Sequence, residues 1–193
     1  MILLWPYILW LADVFTISVT VALFEIVLEK DQGWASGLSA SGLGRKLWQG
    51  SIFVRCLEKP YLTIYHLLMF GLVLPLILAA QCWVLYLLWS NQGVTIFHRS
   101  ILTIWRVGHV VFAPYLFCIA AWLAICLIED FLWFAFNWHY PASLHDLLSG
   151  NIWWHTRWVR VGTRVLPRFY LLTLVLTSVI LSIGFCSAAN VPK

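Results

Sequence analysis

Three apolar runs of this chain carry ionisable side chains where they are costly. Glu25 is followed by Ile26, Val27 and Leu28; Glu129 and Asp130 are followed by the apolar stretch from Phe131 to Phe136; His66 falls early in a third run. A charge-bearing group inside a membrane-spanning helix is expensive and marks a pairing or a function. Counted from the middle of its own run, each of Glu25, His66 and Glu129 is displaced about 8–9 residues toward the same side, roughly 12–14 Å from the centre at the helical rise. Three helices thus bring an acid, an imidazole and an acid pair to one depth.

Carboxylates and imidazoles on facing helices are the ligand set of iron or zinc sites. Glu25, His66 and Glu129 are the expected metal ligands, with Asp130 and His155 as catalytic groups beside them. No Glu-x-x-His pair of the soluble di-iron kind is present. Two structural pairings compete with this site. Arg168 could neutralise Asp130 or Glu129, and His66 could donate to Glu25 as interhelical polar glue. Glu29, His139 and His145 would then be interfacial and solvated. A haem is not expected, because His66 and His109 fall near opposite membrane faces and cannot flank one macrocycle. Asp13 lies midway along the first run, and Thr16 and Thr20 are its expected hydrogen-bonding neighbours.

The elements that must position these groups follow from composition. The 193 residues are 62% hydrophobic and only 10% charged, against about 25% charged in an average soluble domain. Four runs reach the length needed to span hydrocarbon: about 3–28, 60–89, 108–138 and 165–185. The expected fold is an all-α integral membrane four-helix bundle, a single transmembrane domain over 1–193, with interfacial helices in loops two and three. Pro60 and Pro167 are expected in the first turns of helices two and four. Pro75 and Pro114 are expected to kink helices two and three. The stretch from Ile152 to Arg160, with Trp153, Trp154 and Trp158, reads as a segment lying on the headgroups. The first run lacks a basic leader and is expected to be a retained helix.

Nine basic residues fall on loops one and three and the adjoining helix ends, against Arg99, Arg106 and Lys193 on the other side. The positive-inside rule then places loops one and three in the cytoplasm of a bacterial inner membrane, with both termini outside. The five cysteines form no CxxC pair; Cys82, Cys118, Cys126 and Cys186 read as small apolar residues. The thirteen tryptophans read as interfacial anchors and packing groups. Neither a nucleotide-binding fingerprint nor a nucleic-acid-binding signature is present, so nucleic acid is not an expected partner.

Glu25, Gly33-Trp34-Ala35, the run Lys59 to His66, Glu129 to Phe134 with Asn137, and Trp154-His155 occur in an order that resembles a family of small bacterial polytopic membrane proteins. The resemblance implies no activity. The resemblance implies a proline after the asparagine; here Trp138 follows Asn137. The expectation is a metal-dependent membrane enzyme, with oxidation–reduction slightly favoured. Its substrate would be a lipid, quinone or other apolar molecule entering from the side. The alternative is a non-catalytic small subunit or assembly factor whose partners are membrane lipids and a larger membrane complex.

Overall fold

The computed structural model describes residues 5–50, 58–80 and 112–189. His98, His109, Cys56, Cys82, Trp83, Trp89, Trp105 and all of loop two lie outside these residues. Helix α1 spans Trp5–Glu29. It leads through a 3₁₀ turn, Ser36–Ser41, to strand β1, Lys46–Leu47. Strand β2, Leu62–Thr63, pairs with β1 in antiparallel register, Lys46 opposite Thr63 and Leu47 opposite Leu62. The chain then enters helix α2, Ile64–Ala80. Helix α3 covers Phe112–Phe136, α4 covers Ser143–Ser149, and a hairpin of β3 (Trp158–Val161) and β4 (Arg164–Pro167) precedes α5, Arg168–Ala189.

The described residues are thus mostly helical. Two helices, Trp10–Glu29 and Leu116–Phe136, are long and apolar enough to cross a membrane, and Ile64–Ala80 and Arg168–Ile183 are shorter apolar helices. Their outward faces are apolar too. Leu11, Phe15 and Val27 on α1, Leu72 and Leu76 on α2, and Leu174, Val175 and Val179 on α5 are all exposed. Hydrocarbon rather than water is the solvent that suits such faces.

Helix α3 is the centre of the bundle, packing against both α1 and α5. One apolar layer joins Val14 of α1, Leu74 and Leu78 of α2, and Ala121, Ala124 and Ile125 of α3. The small alanines let the backbones approach closely. A second layer, Ile26, Trp133, Phe134, Leu147, Ile152, Trp154 and Tyr170, folds the segment after α3 over one end of the bundle.

Several boundaries differ from the sequence reading. Pro60 precedes α2 by four residues, because β2 pairing takes up Leu62 and Thr63 and Thr63 then caps the helix through the His66 N–H. Pro167 ends β4 and does not open a helix. The Ile152–Arg160 stretch is no interfacial helix: its last residues form β3, which pairs with β4 in a four-pair register. Alternating Trp158, Val159, Arg160 and Val161 suits a strand, and Gly162 at φ 62° supplies the turn. Within α2 the backbone widens to a π-helical turn at Met69–Val73, just before Pro75. Pro75 cannot donate to, and crowds, the carbonyl of Gly71, and the wider turn absorbs that conflict.

Candidate functional site

The polar groups collect where α1 and α3 end and α2 and α5 begin. Each is delivered by an identifiable local device. Helix α1 stops at Glu29 because Lys30 turns left-handed at φ 56°, and the Lys30 carbonyl then accepts from Asn137 Nδ2 at 2.6 Å. Asn137 ends α3 in the same way. Its Oδ1 accepts the N–H groups of His139 (2.9 Å) and Tyr140 (3.2 Å), a side-chain-built turn that needs no proline. One asparagine therefore fixes two helix ends.

After α1 the backbone runs left-handed through three residues, Gly33, Trp34 and Ala35, at φ 55°, 50° and 53°. The Ala35 N–H donates to Glu29 Oε1 at 2.5 Å, and the Trp34 indole N–H donates to the Tyr61 carbonyl at 2.8 Å. These bonds hold a conformation that L-residues otherwise avoid. Gly33 is obligatory for a second reason: a Cβ there would overlap the Trp154 ring.

Two groups of ionisable residues result. In the first, Lys59 Nζ lies 3.5 Å from Asp130 Oδ1 and 3.2 Å from His155 Nδ1, and 4.3 Å above the Trp34 ring. His155 Nε2 lies 3.3 Å from Asp130 Oδ2, and the Tyr170 hydroxyl donates to the same oxygen at 2.5 Å. A lysine ammonium donating to Nδ1 fixes the neutral imidazole with its proton on Nε2, toward Asp130. The Nε2 contact with Asp130 is a charge approach at 3.3 Å, and this buried nitrogen makes no hydrogen bond among the described residues. Burial lowers the His155 pKa; the Lys59 charge lowers it further, and Asp130 opposes both. Burial likewise lowers Lys59, with Asp130 the main opposing charge.

In the second group, the carboxyl groups of Glu25 and Glu129 lie within hydrogen-bonding reach of each other. The Tyr65 hydroxyl donates to Glu25 Oε1 at 2.8 Å. Both acids are buried, and neither forms an ion pair among the described residues. Two ionised carboxylates so placed would repel each other, and a proton held between them would remove that repulsion.

The structure brings together four of the five expected site residues. Glu25 meets Glu129, and Asp130 meets His155. His66 goes elsewhere: its Nδ1 is 2.6 Å from Thr63 Oγ1, and its ring lies 3.9 Å from that of Trp34, tilted by 35°. The Thr63 cap of α2 draws the imidazole toward its own helix start. Among the described residues no three His, Cys, Asp or Glu side chains converge as a metal-ligand set. The pairing considered between His66 and Glu25 is made instead by Tyr65. Arg168 pairs with Glu58, not with Asp130 or Glu129. Thr16 and Thr20 donate to the carbonyls of Ala12 and Thr16, one turn back along α1. His139 and His145 are exposed, and Tyr140 donates to Asp146 beside His145, whereas Glu29, expected as a solvated edge group, is buried and accepts from the Ala35 N–H.

Of the groups that build the site, Tyr170 carried no signal in the sequence, and Trp34, Lys59 and Tyr65 entered only through the resemblance, without a role. Lys59 carried a usable signal. It sits next to the start of an apolar run at the level of Asp130, so it is the nearest cation for a buried acid. Comparison with known proteins finds no matching family model, no similar curated protein and no similar solved structure.

Proposed function

We propose that this chain is a four-span protein of a bacterial inner membrane, with loops one and three cytoplasmic. In this reading it is an enzyme whose centre is the Glu25–Glu129 pair. A contrast between neighbouring acids carries the proposal. Glu58 is paired with Arg168, Asp130 with Lys59, and Glu29 with the N–H of a built turn, whereas Glu25 and Glu129 face each other with Tyr65 as the outside donor and no cation. A cluster needed only to fasten helices would match each buried acid with a cation or with donors, because an unmatched buried charge is costly. Two carboxyl groups sharing a proton can act as acid and base in turn, as in aspartic proteases. The substrate is a lipid, quinone or other apolar molecule reaching the pair from within the leaflet.

The geometry supports proton transfer over a metal centre. Iron or zinc in place of the shared proton would have Glu25 and Glu129 as carboxylate ligands, but His66 is turned to Thr63 and does not join them. Asp130 and His155 serve to position the cluster: both are held by Lys59, and Asp130 also accepts from Tyr170.

The test combines spectroscopy with turnover. Purified protein should show the infrared C=O stretch of a buried protonated carboxyl, lost in both Glu25→Gln and Glu129→Gln. Wild type should alter components of a membrane lipid extract that Glu129→Gln leaves unchanged at equal thermal stability. One equivalent of iron or zinc, lost in Glu129→Ala, would replace the proton reading with the metal one. An unaltered extract and a stoichiometric co-purifying partner would favour the small-subunit reading, which the apolar outward faces of α1, α2 and α5 also suit.

A further inference from the structure

A groove of about 270 Å³ runs between α3 and α5. Leu127 and Phe131 form one wall, Leu171 and Leu174 the other, and Leu166 and Tyr170 close its end. The lining is apolar throughout, since the one hydroxyl present, that of Tyr170, is turned away to Asp130. Phe131 and Leu174 are exposed, so the groove opens on the face where the bundle meets hydrocarbon.

The end of the groove has a different character. Leu166 lies on β4, and Arg164 is two residues before it, so both side chains stand on one face of the hairpin. Val159 and Val161, opposite them on β3, belong to that same face. Arg164 is exposed, and it forms no ion pair among the described residues. Arg168 differs, being taken by Glu58. Arg157 and Arg160 on the same hairpin segment are exposed as well and add to the positive field. An apolar groove thus lies beside a strand that carries, two residues from the groove-lining Leu166, an exposed arginine without an ion pair among the described residues.

We propose that this groove holds an acyl chain of an anionic phospholipid whose phosphate is bound by Arg164. The chain replaces loose bilayer contacts with packing against Phe131, Leu171 and Leu174. The guanidinium supplies charge-assisted hydrogen bonds to phosphate oxygens, and anionic lipid is attracted to a basic cytoplasmic edge. The inference rests on the membrane placement and is independent of the Glu25–Glu129 pair.

Native mass spectrometry of the full chain in detergent tests it, with phosphatidylglycerol and phosphatidylcholine added in equal amounts. Wild type should retain one phosphatidylglycerol in clear preference to phosphatidylcholine. Arg164→Gln, at an exposed position, should lower phosphatidylglycerol retention at least fivefold and remove the preference. Leu174→Trp, also at an exposed position, should fill the slot and abolish retention of either lipid, with thermal midpoints of both variants near wild type. Equal retention of the two lipids by wild type would overturn the proposal. Unchanged retention in Leu174→Trp would do so too, by leaving charge attraction without an occupied groove.

Discussion

Glu129 and Asp130 are neighbours in sequence, yet their side chains leave α3 about 100° apart and reach different partners. Glu129 meets the Glu25 carboxyl on α1, whereas Asp130 meets Lys59, His155 and Tyr170. One helix position therefore separates an acid engaged with a cation from an acid that faces another acid.

Removing Lys59 should be far more damaging than removing the pair it forms. Lys59→Met keeps most of the stem volume but leaves Asp130 buried beside an uncompensating neighbourhood, at a cost of about 3–5 kcal/mol. The double variant Lys59→Met/Asp130→Asn should recover most of that loss. Unfolding in mixed micelles gives both values; additive losses would show that the two groups do not interact.

Tyr65→Phe removes the hydroxyl donated to Glu25. The expected loss of stability is about 1–2 kcal/mol, the cost of leaving a buried acceptor short of a donor. The infrared band of the shared carboxyl proton should shift, because one oxygen of the pair has lost its outside bond. An unmoved band would place Tyr65 outside the pair.

The left-handed turn at Gly33 carries two separable costs. Gly33→Ala meets both positive-φ strain and the Trp154 ring, whereas Gly42→Ala, at φ 75°, meets nothing within 4 Å. Gly42→Ala should cost about 1–2 kcal/mol from the backbone alone. Gly33→Ala should cost clearly more, and equal losses would mean that Trp154 yields without penalty.

His155 gives stability a pH dependence of definite sign. Its folded-state pKa lies below the ordinary 6.5, from burial and the Lys59 charge, with Asp130 and Glu58 opposing. In the window just below 6.5 the unfolded chain takes up a proton that the folded chain refuses, so this contribution to stability is present above that pH and is lost as pH falls through the folded-state pKa. Unfolding midpoints in detergent should therefore drop on acidification, and His155→Gln should flatten the slope. A slope unchanged by His155→Gln would assign it to other groups.

The apolar helices of the described residues were legible because long apolar runs have few other ways to satisfy their backbone groups away from water. Depth along a helix was legible for the same reason: the rise per residue is fixed, so Glu25 and Glu129 could be set at one level by counting. What counting does not supply is azimuth. His66 has the right depth, but the Thr63 cap takes its Nδ1, and Tyr65 beside it reaches Glu25 in its stead. The β3–β4 hairpin was obscured in another way, since tryptophan and arginine suit a headgroup layer and a twisted strand equally well.

Local chemistry by itself thus determined the helical, lipid-suited character of the chain and the height of its acids, because both depend on residues close in sequence. Only the tertiary structure decided which acid meets which cation. Lys59 and Asp130 are 71 residues apart in sequence, and their meeting depends on how α3 rotates between α1 and α5. That rotation is set by the packing of Ile125, Trp133 and Phe134 and by the Asn137 bond to Lys30, which no single segment encodes.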